Sequence, residues 1–339
     1  MIAVLKADAY GHGAAAVARR LAAEGARRFA VADAREAIAL RRAGISGEIL
    51  LLNFCEARDL PLCRGYGLIP TLYDMTQVRD FAQASTGAAA ALPVNVKLDT
   101  GLGRLGFRPE QLPEFMELLR ADPGLRVEGV FSHLASAEKR SAATTMQQVR
   151  VFREALAALA AAGLPTGLVH LANSAGVLAH PDSHFDAVRP GIALYGVPPW
   201  DSEEGDLLEA AMSLETRVMS VKRVPAGTPL GYGGSFVTSR PSTIAVLPIG
   251  YHDGLRRSFS GRVSVLLRGR EAPIVGAVSM DLTLVDATDC GASPRERVVC
   301  LGSDSGHAVT AWDLARAAGT IPYEVLCGIG ARVPRRYVG

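Results

Sequence analysis

The first two-thirds of the chain alternates short apolar runs with longer stretches in which apolar positions recur at helical spacing. This alternation is typical of repeated strand–helix units around a parallel sheet. Eight apolar runs predict strands over residues 2–6, 29–32, 49–53, 68–72, 94–98, 127–132, 168–171 and 186–189. The intervening helices are predicted over residues 13–24, 33–43, 74–84, 109–121 and 142–163. Eight such units imply a closed (β/α)8 barrel.

After about residue 207 the pattern changes to short runs separated by Gly, Pro and Ser, such as STIAVLPIGY and APIVGAVSMDLTLVD. Runs of this kind predict an antiparallel β-domain, with one helix over residues 310–319. The predicted fold is therefore α/β, with an N-terminal (β/α)8 TIM barrel over residues 1–207 and a C-terminal, mostly antiparallel β-domain over residues 208–339.

Composition narrows the class of protein. Of the 339 residues, 49% are hydrophobic and 21% charged, and the longest apolar runs fall well short of the ~20 residues that span a bilayer. The formal net charge of +2 comes from mixed charges without a basic stripe, so neither a membrane nor a nucleic acid is an expected partner. Five cysteines without a C-x-x-C pair indicate reduced thiols, and the N-terminus has no secretory pattern. We expect a cytoplasmic protein without a metal site.

In a (β/α)8 barrel the reactive groups lie at the carboxyl ends of the strands. Polar residues at the predicted strand ends, or in the loops that follow, should therefore converge on one mouth. These residues are Lys6, Lys97, Arg104, His133, Asn173, Ser174 and Arg189.

Lys6 is the strongest candidate among them, because it ends an apolar strand and is followed by ADAYGHG. A buried lysine has a lowered pKa and becomes a nucleophile toward aldehydes. The following loop, with Tyr10, His12 and two glycines, is of a kind that binds phosphate. The alternative is a lysine that ends the strand with its ammonium group in solvent.

Six segments, in this order along the chain, resemble the alanine racemases, a family of fold-type III enzymes that use pyridoxal 5'-phosphate (PLP). They are VLKADAYGHG, VKLDTGLGRLGF, HLANSAG, DAVRPGIALYG, LPIGYHDG and VSMDLTLVD. The resemblance extends from residue 2 almost to the C-terminus. It implies PLP as cofactor, an amino-acid substrate, a homodimer with shared active sites, and supply of D-alanine for peptidoglycan.

The resemblance also implies two catalytic bases. Lys6 would form a Schiff base with PLP and exchange a proton on the D-face of the substrate Cα, while Tyr251 of the partner subunit would act on the L-face. A free tyrosine has a pKa near 10, so a tyrosine base needs hydrogen bonds and nearby positive charge. The resemblance supplies His133 next to Tyr251, and Arg189 next to His133. The alternatives are a structural histidine and a core or interface tyrosine.

For Arg189 the resemblance implies a hydrogen bond to the pyridine nitrogen of PLP. Because arginine keeps its proton, that nitrogen stays unprotonated and the ring is a poorer electron sink, which suits a racemase. Related decarboxylases carry a carboxylate at this position. Without the surrounding motif, Arg189 could instead be a surface or phosphate-facing cation.

The remaining site residues follow from the same resemblance. Arg104 and Met280 would contact the substrate, although Met280 could also be a core residue. Lys97 would be carbamylated and orient Arg104, or would form an ordinary salt bridge with a nearby carboxylate such as Asp99. The residues expected at the cofactor phosphate are Tyr10, Ser174, Gly191 and Ile192.

Two features depart from the family. Members usually carry a further strand and helix ahead of the cofactor lysine, so we expect either that the chain is truncated or that its start is misassigned. If the short form is native, the last barrel helix and the β-domain lack a packing partner. Ala331 stands where some members have a phosphate-binding tyrosine. A smaller residue there leaves open a broader-specificity racemase acting on serine or basic amino acids. A PLP decarboxylase of related fold and a non-catalytic PLP carrier are further alternatives.

Overall fold

The computed structural model describes residues 1–121, 124–139, 143–201 and 208–338. They form two compact units. Of the described residues, the first unit contains 1–9, 13–194 and 198–201. The second unit contains 10–12, 195–197 and 208–338. The predicted boundary between residues 207 and 208 adjoins positions outside the described residues.

The first unit is the predicted (β/α)8 barrel. Its parallel strands form two four-stranded sheets. The fourth barrel strand is interrupted at Pro70, which has no N–H group to donate to a neighbouring strand. An isolated bridge from His170 to Ala187 marks the eighth strand, and the amide of Ile2 donates to Val188 O (2.8 Å), which closes the ring. The strands are Ala3–Val4, Arg28–Val31, Glu48–Leu51, Leu68–Ile69, Thr71–Leu72, Leu92–Lys97, Leu125–Phe131 and Leu168–His170.

The barrel helices begin where the sequence provides caps. Asp33 Oδ1 accepts the amides of Arg35 and Glu36, and Asp74 Oδ1 accepts the amide of Gln77, so each carboxylate satisfies amides that the first helical turn leaves unpaired. The helices are Ala14–Ala23, Ala34–Arg42, Leu60–Tyr66, Met75–Ser85, Leu112–Ala121, Ala143–Ala161 and Ser174–Ala179.

The second unit contains the predicted antiparallel β-domain. Its main sheet runs in the order Ser220–Val224, Ser242–Leu247, Thr283–Asp286, Arg270–Val275, Ser264–Leu267, Arg297–Asp304 and His307–Val309. Leu214–Arg217 pairs with Arg297–Asp304, and Pro229–Leu230 forms a separate hairpin with Phe236–Val237.

A helix at Ala311–Ala318 confirms the one predicted over residues 310–319, but a second helix, Pro322–Cys327, follows it. The expectation of one helix in this domain was therefore wrong. With six residues, Pro322–Cys327 is too short to show a helical period in the sequence. Within the described residues, no helix is both long and apolar enough to cross a bilayer.

Candidate active site

Lys6 lies just past the first barrel strand, at the start of an unusual turn. The four residues that follow it, Ala7 to Tyr10, all have φ between 52° and 55°. This left-handed conformation costs roughly 1–2 kcal/mol per residue when the residue is not glycine. Strained backbone of this kind persists where the surroundings over-determine it, and it clusters at functional sites.

Hydrogen bonds to neighbouring elements hold this turn. Glu36, in the first turn of helix Ala34–Arg42, accepts the amide of Ala7 with one carboxylate oxygen (2.7 Å) and the amide of Ala32 with the other (2.8 Å). The amide of Ala14 donates to Asp8 Oδ1 (2.7 Å). Glu36 thus connects the turn after Lys6 to the end of the neighbouring strand.

Arg189 is buried at the end of the eighth barrel strand, where acceptors surround its guanidinium. Nη1 donates to His170 Nδ1 (2.6 Å) and to His170 O (2.9 Å), and Nη2 donates to Ser132 O (2.6 Å) and Leu171 O (3.0 Å). Burial lowers the pKa of Arg189 to about 9, which is still above neutrality. The guanidinium therefore keeps its charge and a fixed orientation.

His133 is the predicted neighbour of Arg189, and its Nδ1 lies 3.5 Å from Arg189 Nη2, at the outer limit of a hydrogen bond. Because arginine only donates, this Nδ1 is unprotonated and the ring carries its proton on Nε2. Burial, and then the charge of Arg189, hold the pKa of His133 well below its usual range. His133 is therefore a neutral histidine with an Nε2–H donor.

Lys97 ends strand Leu92–Lys97 with a side chain that is only 3% exposed, and its Nζ lies 5.5 Å from the centre of the Phe131 ring. Burial, and then the charges of Arg104, Arg189 and Lys6, lower the pKa of Lys97 to about 8. A large share of the amine is therefore neutral in mildly alkaline solution.

The loop after Lys97 does not provide a salt bridge between Lys97 and Asp99. Asp99 Oδ1 accepts the amides of Gly101, Leu102 and Gly103 at 2.9–3.0 Å. No ion pair of the described residues joins Lys97 to Asp99, and the Asp99 charge only partly offsets the lowering of the Lys97 pKa. The carboxylate instead shapes the loop that carries the exposed Arg104. Lys6, Lys97, Arg104 and Arg189 thus give the barrel mouth an excess of positive charge, which suits an anionic ligand.

Ser174 brings together the predicted phosphate contacts of the barrel. Its Oγ is buried and accepts the amides of Gly191 (2.9 Å) and Ala193 (3.2 Å), on either side of Ile192. A hydroxyl that accepts two amides retains its own proton for a further acceptor. The Ser174 hydroxyl is therefore a donor that suits a phosphate, whereas the amides of Gly191 and Ala193 already donate to Ser174 Oγ.

Tyr10, the fourth predicted phosphate contact, belongs to the second unit. Its ring is buried, with centroids 5.0 Å from Tyr195 and 5.8 Å from Tyr323. Burial, and then the neighbouring Tyr323 and Cys327, raise the pKa of Tyr10. The phenol is therefore protonated and can donate a hydrogen bond.

Tyr251 and Met280 lie in adjacent loops of the β-domain. The amide of Tyr251 donates to Ser279 O (3.0 Å), and the amide of His252 donates to Met280 O (3.2 Å). The side chains of Tyr251 and Met280 are 41% and 52% exposed. These two predicted residues thus lie side by side on the surface of their unit, and Met280 is not the core residue considered as an alternative.

The sequence analysis did not predict two residues that contact the candidate site residues. His170 contacts Arg189, and Arg332 contacts the loops of Tyr251 and Met280. A histidine inside the apolar run LVHL was a usable signal, because a buried polar side chain needs a partner. Arg332, within RVPRR, had no such signal.

Residues 1–199 match the family model for the N-terminal domain of alanine racemase, and residues 211–337 match the model for its C-terminal domain. The chain belongs to the alanine racemase family. The alanine racemase of Syntrophobacter fumaroxidans is 43% identical over 332 residues, covering 97% of this chain and 88% of that relative. The alanine racemase of Carboxydothermus hydrogenoformans is 40% identical over 339 residues, with coverage of 99% and 92%.

Solved alanine racemase structures share the whole fold. The enzyme from a D-cycloserine-producing Streptomyces lavendulae superposes with a TM-score of 0.94 at 36% identity, covering all of this chain and 90% of that one. The alanine racemase of Bartonella henselae, solved with covalently bound pyridoxal phosphate, superposes with a TM-score of 0.89 at 34% identity, with coverage of 99% and 92%. The α/β prediction of a (β/α)8 barrel followed by an antiparallel domain is confirmed.

Proposed function

We propose that the protein is a PLP-dependent enzyme that interconverts L- and D-alanine, acting as a cytoplasmic homodimer that supplies D-alanine for peptidoglycan. The observation that carries the proposal is the fixed guanidinium of Arg189, at the barrel mouth to which Lys6 also belongs. An arginine at the pyridine nitrogen of PLP restrains the electron demand of the ring, which favours reversible proton transfer over transamination.

The donor set fits this cofactor. The amine of Lys6 suits its aldehyde, and Arg189 suits its ring nitrogen. The hydroxyls of Ser174 and Tyr10 and the backbone of Gly191 and Ile192 suit its phosphate, and the Gly191 amide, which donates to Ser174 Oγ, would then be shared with that phosphate. When bound, PLP withdraws electrons from the substrate Cα and so acidifies its proton.

The protein residues then move that proton. Lys6 removes or returns it on the D-face, and Tyr251 of the partner subunit does so on the L-face. The Nε2–H of His133 donates to the Tyr251 oxygen and stabilises its charged form. Arg104, oriented by a carbamylated Lys97, binds the substrate carboxylate with the help of Met280.

The two-base mechanism is tested with purified protein whose PLP content is verified by absorbance. We expect loss of optical rotation of L-alanine, its abolition in Lys6→Ala, and a fall of roughly 10²- to 10⁴-fold in Tyr251→Phe. Tyr232→Phe, which changes a 73% exposed tyrosine of the same domain, serves as the matched control. A protein that binds PLP but leaves L-alanine unchanged would refute the proposal.

The shared active site makes a separate test possible. In a mixed dimer of Lys6→Ala and Tyr251→Phe subunits, one site combines both substitutions and the other has neither. Mixing the two inactive proteins should therefore restore about a quarter of wild-type activity. Mixtures that stay inactive, while mixed dimers form, would place both bases in one subunit.

Ala331 supports a second candidate, a racemase of broader specificity. It lies in an exposed turn, and its methyl group is much smaller than the tyrosine that some family members have at this position. Initial rates with alanine, serine, lysine and arginine decide between the two. Comparable kcat/KM values for alanine and serine, with serine turnover reduced in Ala331→Tyr, would favour the second candidate.

A further inference from the structure

Three segments of the β-domain converge behind Tyr251 and Met280. They are the turn at residues 250–253, the loop at residues 279–281 and the C-terminal segment around Arg332. The first two already touch through their backbones. A Cβ on Gly250 would lie 2.3 Å from both Ser279 O and Met280 O, so these loops meet without spare space.

Asp253 closes the turn that carries Tyr251. Its Oδ2 accepts the amide of Gly250 (2.9 Å), while its own amide donates to Gly250 O (3.0 Å). The Asp253 side chain is only 10% exposed, so this carboxylate needs partners for its charge.

Arg332 supplies the main partner. Nε donates to Asp253 Oδ1 (2.5 Å) and Nη2 donates to Asp253 Oδ2 (3.0 Å), while Nη2 also donates to Asp281 Oδ1 (2.6 Å). Burial alone would raise the pKa of Asp253, but the hydrogen bonds from Arg332 and Gly250 outweigh it and hold that pKa below its usual range. One guanidinium therefore binds the carboxylate of the Tyr251 turn and the residue after Met280.

We propose that Arg332 is a positioning residue, which holds Tyr251 and Met280 in register through Asp253 and Asp281. This inference rests on the proposed role of Tyr251. Tyr251 is 41% exposed, so the backbone of the turn has a large share in setting where its side-chain oxygen lies. A misplacement of about 1 Å at a reacting group costs roughly a hundredfold in rate.

The test separates the two faces of the reaction. In deuterated water, exchange of the Cα hydrogen of D-alanine reports the Lys6 side, whereas racemisation needs Tyr251 as well. For Arg332→Leu with PLP bound, we expect racemisation to fall roughly ten- to hundredfold while D-alanine exchange stays within about twofold of wild type. General loss of structure would lower both rates together.

Control variants make the result specific. Arg297→Leu removes an arginine that is paired with Glu215 elsewhere in this domain, and should leave both rates unchanged. Arg332→Lys keeps the charge but lacks the planar fork, so it should recover part of the racemisation rate. Asp281→Ala removes one bond from an exposed side chain and gives a milder form of the same defect if Arg332→Leu does not fold.

Wild-type racemisation rates in both Arg332→Leu and Asp281→Ala would overturn the inference, as would an equal fall of exchange and racemisation. If Tyr251→Phe itself racemises alanine normally, the proposed role of Tyr251 fails, and the inference with it. If Tyr251→Phe is impaired and Arg332→Leu is not, the positioning role alone is refuted.

Discussion

Arg189 Nη1 donates a 2.6 Å hydrogen bond to His170 Nδ1, inside the barrel. His170 is buried, and burial, followed by the charge of Arg189, holds its pKa well below the usual range, so the ring is neutral and accepts through Nδ1. Its ring also stacks on Phe131 at 5.0 Å. His170 therefore fixes both the position and the tilt of the guanidinium.

Replacing His170 by leucine should lower alanine racemisation. A hydrogen bond to a charged group contributes about 1.5–3 kcal/mol, which corresponds to roughly a ten- to hundredfold fall in kcat/KM. His170→Gln retains an acceptor and should lose less. Steady-state kinetics with PLP-saturated protein measure both variants, and equal rates for leucine and glutamine would contradict an acceptor role.

Lys97 should bind carbon dioxide in a pH-dependent way. Carbon dioxide reacts with the neutral amine and not with the ammonium, and the pKa of Lys97 is lowered to about 8. The fraction available for reaction therefore rises with pH through about 8, two to three units below an ordinary lysine. The positive charges around the site then stabilise the carbamate anion.

Carbon-13 NMR with labelled carbon dioxide measures this directly. We expect a carbamate signal that grows between about pH 7 and pH 9 and is absent in Lys97→Ala. A signal of equal size in Lys97→Ala would assign the carbamate to another amine.

A glycine substitution in the left-handed turn after Lys6 should not lower the stability of the protein, although the same substitution in an ordinary helix does. Ala7 is exposed and has a φ of 53°, so Ala7→Gly removes roughly 1 kcal/mol of backbone strain, which offsets the greater freedom of glycine in the unfolded chain. Ala16→Gly, within helix Ala14–Ala23, should instead cost about 1 kcal/mol. Calorimetry should show a lower melting temperature for Ala16→Gly alone, and an equal fall in both would count against a strained turn.

Asp33 should contribute stability that disappears in acid. Partial burial would raise its pKa, but hydrogen bonds from Arg35 and from the amide of Glu36 lower it overall. A carboxyl group whose pKa is lowered by folding stabilises the folded state at pH values above its pKa in the unfolded chain, which is about 4. This stability is lost as the pH falls below that value. Asp33→Ala should cost about 1 kcal/mol at neutral pH through the lost cap.

Asp33→Asn is the matched variant for this cap, because an amide oxygen still accepts the helix amides. It should retain most of the stability at pH 7 and flatten the acid dependence of the melting temperature below about pH 5. An unchanged acid dependence in Asp33→Asn would assign that dependence to other carboxylates.

The barrel was predictable because parallel strands are buried on both faces and appear as continuous apolar runs. The short helices Leu60–Tyr66 and Ser174–Ala179 were not, since fewer than two turns give no readable period. The first strand also ends earlier than predicted, at Val4 instead of residue 6. The turn after it contains no glycine before Gly11, so its conformation depends on tertiary partners such as Glu36.

The candidate site also has residues that could be predicted from the sequence and residues that could not. Lys6, Lys97, His133 and Arg189 could be predicted together because one rule locates barrel chemistry at strand ends. Arg332 reaches Asp253 across 79 positions of the chain, and that separation depends on the folded β-domain. Local patterns contain no information about such a pair.

The three backbone carbonyls around Arg189, those of Ser132, His170 and Leu171, also limit how this protein could evolve a different chemistry. Related decarboxylases carry a carboxylate where Arg189 stands, but a carboxylate here would face three carbonyl oxygens that would each lose the donor they have in this protein. These carbonyls come from three positions on two barrel strands and the loops after them, so the surroundings as a whole, and not one neighbour, require a cation at position 189.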